Sequence, residues 1–385
     1  MKLRQASALL FLLPLTACLL QCSSRSRSNS TQRSALLTVQ GQAATPDRFA
    51  AALDQARHEP QQDGFLKTFQ VRGKLSLAGE QISNLNQLRV NHDRTLAVID
   101  YERQRAALFD ETGRAAQALG GVGNEPGSHV WPSDAAETVD GIAVADFKGH
   151  RVNLFSRAGQ FQSSFTYTPQ NFSAQRLLYD DGAHAFYLLG NRWTFNENGQ
   201  VTGAELVHKY SDSGEFVASY FPFPEQAKAI DLYNYDSPAT DLASGDLFVA
   251  LPFDYTIYRL TRAGEFVPYL SGGSPAFKAP AAALDLKGVP PTESYQRVQS
   301  WRLTWTPINN LAVADGKLFV QYQTFDPLRY TLDVWSLATK KKTATVKTNY
   351  ALLTKDAAGN LYFLENLEAK GQARYDIICA KLKGA

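Results

Sequence analysis

Two stretches of the chain repeat one pattern: an apolar strand ending in Asp, four residues, an Arg opening a second apolar strand, then a Gly turn. Val98-Ile99-Asp100 leads to Arg105 through Phe109 and Gly113; Ala143-Val144-Ala145-Asp146 leads to Arg151 through Phe155 and Gly159. The two aspartates are 46 residues apart. A unit of that size cannot bury an apolar face alone and must stack on copies of itself, which points to a solenoid or a propeller. Weaker echoes run to the C-terminus, so the chain reads as a ring of β-meanders.

The second strand of each unit is the clearest: Leu96 to Ile99, Ile142 to Ala145, Ala185 to Leu189, Leu247 to Leu251, Leu318 to Tyr322 and Leu361 to Leu364. Six such strands make six blades. A third strand and a hairpin follow, ending on Gly113, Gly159, Gly214 and Gly264 in the first four blades. The glycine supplies the positive φ that short hairpins need. In the fifth blade Leu337 to Lys341 takes that place without a glycine. Asp180-Asp181-Gly182, Asp315-Gly316 and Asp356 to Gly359 precede second strands and read as hairpins at the other end. The sixth blade runs out of chain after Ala373 to Ile378, one strand short, and Phe65 to Val71 near the start is unassigned. Pairing the two would close the ring and remove the open edges. The predicted fold is therefore all-β: a six-bladed β-propeller of four-stranded antiparallel blades over residues 61–385, closed by an N-terminal strand.

The N-terminus carries an address. Lys2 and Arg4 precede the apolar run Ala6 to Leu15, too short for a comfortable membrane span, which takes about 20 residues. Leu15-Thr16-Ala17-Cys18 follows and resembles the bacterial lipobox, which implies residues 1–17 as a lipoprotein signal peptide and Cys18 as the lipidated residue. An ordinary cleaved signal with an incidental cysteine is the plainer alternative. Residues 18–60 read as a polar tether followed by a short helix within Pro46 to His58. Leu19 after the cysteine suits transport to an outer membrane facing the periplasm. Of three cysteines only Cys379 lies in the folded part, so no disulfide framework exists and core burial must supply stability. The net charge of +2 with mixed signs gives no footprint for nucleic acid.

Gly141 through Phe155 resembles an NHL repeat, with its aspartate, short turn and Arg-Val pair, and the first blade matches through Asp100, Arg105 and Phe109. Gly120-Gly121-Val122-Gly123 through Pro126-Gly127 and Pro132 resembles the glycine-rich linker into the next such repeat. The resemblance covers about 75 residues closely and the other four blades loosely. It implies a six-bladed propeller and no activity.

Asp100 with Arg105 and Asp146 with Arg151 could be catalytic, since carboxylate and guanidinium pair strongly. Repetition in successive blades reads instead as scaffold. The six histidines, His58, His92, His129, His150, His184 and His208, are scattered over different turns and strands, so a histidine zinc site is not expected. Six-bladed hydrolases of the gluconolactonase type hold a divalent cation over the channel with carboxylates and an Asn; Asp231, Asp236, Asp241, Asn309 and Asn310 stand near blade starts and could serve. No nucleophile elbow, phosphate loop or dinucleotide fingerprint is present.

Two long connections, Phe221 to Tyr235 and Ser271 to Pro307, are rich in aromatics. Strand counting puts the connections between blades and the turns between second and third strands on one face. That face would gather Tyr101, Arg103, His129, Trp131, Lys148, His150, Arg192, Trp193, Tyr233, Tyr235, Tyr255, Trp301 and Trp305, residue types that dominate binding hot spots. The sequence thus suggests a lipid-anchored, non-enzymatic propeller in a bacterial envelope. It would bind a protein, peptide or glycan through Tyr101, Arg103, His129, Trp131, His150, Trp193, Tyr233, Tyr235, Trp301 and Trp305, with no cofactor and no membrane contact beyond the anchor. A metal-dependent hydrolase or lyase using the channel is the second reading. The rings could also plug the propeller or pack between blades.

Overall fold

The computed structural model describes residues 64–384 apart from 79–81, 168–171, 196, 198–200, 223–236, 282–283, 285, 287, 325–328 and 370–371. The signal, Cys18, the tether and the short helix expected within Pro46 to His58 lie outside the described residues. Residues 59–283 and 305–385 form one compact unit, while 284–304 belong to a second.

The first unit opens with one turn of helix, α1 (Phe65–Thr68), running into β1 (Phe69–Ala78). Blade 1 is β2 (Leu85–Val90), β3 (Leu96–Asp100), β4 (Arg105–Phe109) and β5 (Ala115–Leu119). Blade 2 is β6 (Pro132–Glu137), β7 (Gly141–Asp146), β8 (Arg151–Ser156) and β9 (Phe161–Thr166). Blade 3 is β10 (Arg176–Asp180), β11 (Ala185–Phe195), β12 (Val201–Ser211) and β13 (Phe216–Pro222). Blade 4 is β14 (Ala239–Ala243), β15 (Asp246–Ala250), β16 (Ile257–Leu260) and β17 (Phe266–Leu270). Blade 5 is β18 (Ile308–Ala314), β19 (Lys317–Gln323), β20 (Tyr330–Ser336) and β21 (Lys342–Thr348). Blade 6 is β22 (Ala351–Lys355), β23 (Leu361–Ala369) and β24 (Gln372–Leu382), and β1 pairs antiparallel with β24 as its fourth strand.

The ring closes as the sequence suggests, with one correction. Phe65 to Thr68 are helical, and the closing strand starts at Phe69 and runs on to Ala78. The helical turn lets Phe65 fold back into an aromatic cluster, with ring centroids 4.8 Å from Phe69, 4.7 Å from Tyr350 and 4.9 Å from Phe363. Polar contacts add to the ladder: Ser76 bonds Asp376, and Lys74 meets Glu365 at 2.6 Å.

Burial falls from the centre outward, which is why the second strands were the easiest to read. β3 and β7 are buried along their whole length, whereas β5 and β9 are mostly exposed. The core lies between blades: one cluster joins Ala143 and Val152 of blade 2 to Leu177, Phe186 and Tyr210 of blade 3. Others join blades 4 and 5, 5 and 6, 6 and 1, and 1 and 2.

The recurring turn glycines sit at these seams. Gly113 has φ 83°, and a Cβ there would lie 2.6 Å from the carbonyl oxygen of Ser76 on β1. Gly159 faces Gln117 on β5, and Gly214 faces Phe165 on β9, in the same way. Each turn thus packs on the outer strand of the preceding blade, with β1 playing that part for blade 1. In blade 5 Lys340 takes the left-handed conformation, φ 54°, in place of the missing glycine.

The first strands form the inner ring: β2 touches β6, and so on through β10, β14, β18 and β22 back to β2. The long connection Ser271 to Pro307 contains a helix not assigned from the sequence. It carries α2 (Pro291–Arg302), in the second unit, with proline at the first helical position, Glu293 in the first turn and Arg302 in the last.

Candidate functional site

The repeated aspartates are buried hubs that pin the loop entering each blade. Asp146 Oδ2 accepts the Val130 N–H at 2.9 Å, and Oδ1 accepts those of Trp131 at 2.8 Å and Gly149 at 3.0 Å. Arg151 Nε stands 3.5 Å from the same carboxylate, and its terminal nitrogens donate to the carbonyls of Gly123, Asn124 and Ser128. Together the pair holds both the donors and the acceptors of the linker from blade 1 to blade 2. Asp100 does the same one blade earlier, accepting from Ser83, Asn84 and Arg103 N–H groups, with Arg103 and Arg105 each 3.9 Å away.

This anchoring fixes three of the expected face residues against one another. Trp131, whose N–H is held by Asp146, packs edge-on to Tyr101 with centroids 4.9 Å apart. Lys148, in the next turn, lies over the Trp131 ring with Nζ 4.0 Å from its centroid. The two rings are partly exposed and Lys148 is exposed. An ammonium over an indole face is a favourable cation–π arrangement, and both groups keep one side open to solvent. Arg103 flanks Tyr101 from the same turn.

Other residues assigned to the face serve the scaffold. His129 is fully buried; its Nε2–H donates to the Leu119 carbonyl at 2.9 Å, and its Nδ1 accepts from Asn153 Nδ2 at 3.0 Å. Burial pushes its pKa down, which keeps the ring neutral. His150 is partly buried and donates from Nδ1 to the Phe172 carbonyl at 2.9 Å. Tyr255 is buried, donates to Asp333 Oδ2 at 2.7 Å, and accepts from Trp335 Nε1 at 3.0 Å. Trp305 is buried because the ends of the long connection are clipped together: the Thr306 N–H donates to the Lys278 carbonyl at 2.9 Å, and the Lys278 N–H to Thr306 Oγ1 at 2.6 Å. Neither His129 nor Trp305 can therefore meet a ligand without the fold opening. Trp301 is partly buried on α2 and belongs to the second unit. Trp193 lies within β11, its side chain outside the description, and Tyr233 and Tyr235 lie outside the described residues.

The inner ring carries charges that sequence reading passed over. Arg89 on β2 grips Asp134 on β6 with both Nε and Nη2, at 3.1 and 2.6 Å, and the Leu177 N–H also donates to Asp134. Lys355 on β22 meets Asp241 on β14 at 2.7 Å and donates to the Leu242 and Val313 carbonyls. Asn310 spends its amide on the Leu352 and Leu353 carbonyls, and Asn309 donates to Gln321. With Arg176 on β10, the described residues of this part of the ring set Arg89, Arg176 and Lys355 against Asp134 and Asp241. That balance opposes a divalent cation, and of the carboxylates expected to hold one, Asp241 is already paired with Lys355, while Asp231 and Asp236 lie outside the described residues. Among the described residues no group of three His, Cys, Asp or Glu could hold a metal ion. The signal that could have found the cations was a charge inside a first strand next to apolar residues, as in Leu88-Arg89-Val90.

No family model matches the chain, and no curated protein matches it. Solved structures do. A candidate exported protein from Bacteroides fragilis shares 14% identity, covering 82% of this chain and 95% of its own, with a TM-score of 0.59. A member of the DUF4221 family from Bacteroides vulgatus shares 11% identity over 82% of this chain and 98% of its own, also at a TM-score of 0.59. At such identities the likeness is one of fold, and the chain is a six-bladed β-propeller.

Proposed function

We propose that this chain is a non-enzymatic binding module of the bacterial envelope, built on NHL-type blades and tethered to the membrane through Cys18. Its ligand, a protein, peptide or glycan, meets the face formed by Tyr101, Arg103, Trp131 and Lys148. The observation that supports this reading is the partly exposed Trp131 ring, packed edge-on to Tyr101 with Lys148 over it, and held in place by a buried aspartate acting on its own backbone. Rigid, partly exposed aromatic and cationic groups of this kind supply binding energy at little entropic cost. The lipobox-like Leu15 to Cys18 supports the anchor, and the Bacteroides fragilis protein of the same fold is itself a candidate for export. The channel cations disfavour the metal-dependent hydrolase.

The test is capture from peptide and glycan libraries by the protein and by Trp131→Ala and Lys148→Ala. Trp131→Ala should cost about 2 kcal/mol or more of binding if the ring is a hot spot, with the melting temperature close to that of the parent. Equal capture by both variants retires the face. For the anchor, Cys18→Ser should abolish lipid labelling and release the protein from membranes; unchanged membrane partition refutes it.

A further inference from the structure

Among the described residues of the inner ring, Arg176 is a cation without a carboxylate partner of its own. Asp134 is its nearest acid, but that carboxylate is gripped at both oxygens by Arg89 and accepts the Leu177 N–H as well. Among the described residues Arg176 makes one hydrogen bond, from Nε to the Pro238 carbonyl at a long 3.4 Å. Burial lowers its pKa, Asp134 opposes and Arg89 adds to the lowering, for a net fall to about 10, so it keeps its charge at neutral pH in an environment that disfavours it. A partly buried cation so poorly compensated is costly to a fold and calls for an anion.

The space beside it suits one. Arg176, Ser237, Pro307, Asn309 and Gln323 line a pocket of about 130 Å³. That is several times what a single water needs, and enough for a small organic acid. All five belong to the propeller unit and stand at the start of β10, β14 and β18 and the end of β19, where the inner ring meets the connections between blades. Asn309 spends its amide nitrogen on Gln321, whose Oε1 also accepts from the Leu352 N–H while its own amide donates to the Tyr350 carbonyl; the Asn309 Oδ1 is buried without a partner among the described residues and adds one acceptor to the lining, suited to a hydroxyl or ammonium group carried beside the carboxylate. The Ser237 hydroxyl and the Gln323 amide make no side-chain hydrogen bond among the described residues. The pocket therefore presents a guanidinium fork and two uncommitted hydrogen-bonding side chains beside an apolar proline wall.

We propose that this pocket at the mouth of the channel binds a small carboxylate, its two oxygens on the Arg176 fork and one of them within reach of Ser237 or Gln323. A planar two-oxygen anion matches the planar fork better than a tetrahedral one. The site is separate from the aromatic face and stands or falls without it. The carboxylate could be that of a free small acid or the C-terminus of a peptide.

Titrations of the protein with acetate, triglycine, triglycine amide and inorganic phosphate, followed by NMR, read both the chemistry and its source. Acetate should bind, and Arg176→Gln should weaken it on the order of tenfold or more, as expected for a lost charge-assisted pair. Arg176→Lys, which keeps the charge without the fork, should fall between, and Gln323→Leu should lose a few-fold. Triglycine binding well above acetate, with the amide inactive, identifies a peptide terminus; acetate equal to or above triglycine identifies a free acid. Without ligand, Arg176→Gln should melt no lower than the parent. The proposal is overturned if neither carboxylate binds, if Arg176→Gln binds acetate as well as the parent, if phosphate binds as tightly as acetate, or if Arg176→Gln melts far lower.

Discussion

Blades 1 and 2 and blades 4 and 5 solve the same problem with the same residue in different ways. Asp146 is buried and spends its oxygens on backbone N–H groups of the incoming loop, with Arg151 beside it. Asp333 on β20 is equally buried, but it gathers side chains: the Tyr255 hydroxyl at 2.7 Å, Thr345 at 2.6 Å, Tyr322 at 3.4 Å and Lys342 at 3.5 Å. The rings of Phe277, Tyr322 and Trp335 surround Tyr255 at 5.3 to 6.2 Å. One aspartate organises a loop, and the other staples two blades through an aromatic knot. The first leaves an aromatic side chain displayed at the surface, while the second consumes its aromatics in the interior.

The sharpest way to break the comparison is to remove each hub. Asp146→Ala strips two charge-assisted bonds from the linker and one from the turn at Gly149, and leaves a partly buried Arg151 without its acid, so we expect a loss of about 3 to 5 kcal/mol. Because the linker carries Trp131, the same variant should lose ligand capture even where it stays folded. Denaturant unfolding together with tryptophan fluorescence checks both, and a loss below about 1 kcal/mol would show that the glycine-rich linker holds itself.

Tyr255→Phe probes the other hub more gently. Burial first, then the Asp333 charge, pushes the hydroxyl's pKa far above its usual value, so it remains a donor throughout the working range. Removing it leaves Asp333 Oδ2 with the longer 3.4 Å contact from Tyr322 and takes the acceptor from the Trp335 N–H while keeping the ring, and we expect a loss of about 1.5 to 3 kcal/mol. Ligand capture at Trp131 should not change. If it does, the two regions are coupled around the ring and the division of labour fails.

The same contrast explains what the sequence could reveal. Asp146 and Arg151 are five residues apart, so their pattern repeats in a line of text, and the turn glycines are equally local. Tyr255 and Asp333 are 78 residues apart and meet only once the blades have stacked. Trp131 and Trp305 looked alike in sequence as aromatics in connections. What separates them is the clip between Lys278 and Thr306, a pairing of chain ends that no local pattern announces. The inner-ring charges escaped for a related reason: Arg89, Arg176 and Lys355 each sit in a short first strand of a different blade, and only ring closure shows which acids among the described residues they meet. Helix α2 is a different case: its proline start and charged ends are local signals, and a reading of the connection by its length and aromatics does not use them.

A smaller and pH-dependent difference should separate the two regions. His129 lies in the linker that Asp146 organises, and burial lowers its pKa below the ordinary value near 6.5. Below that pH the unfolded chain takes up a proton that the native ring refuses, so the stability His129 contributes is complete above about 6.5 and drains away as pH falls toward its folded pKa. In His129→Gln the amide can still donate to the Leu119 carbonyl but cannot titrate. We therefore expect unfolding free energy to fall less steeply between pH 7 and 5 in this variant than in the parent, with the blade 1 and 2 linker amides losing hydrogen-exchange protection first in the parent. Tyr255→Phe, which leaves His129 and its linker unchanged, should keep the parent's slope. Identical slopes for His129→Gln and the parent would mean that the buried ring is not what makes this linker acid-sensitive.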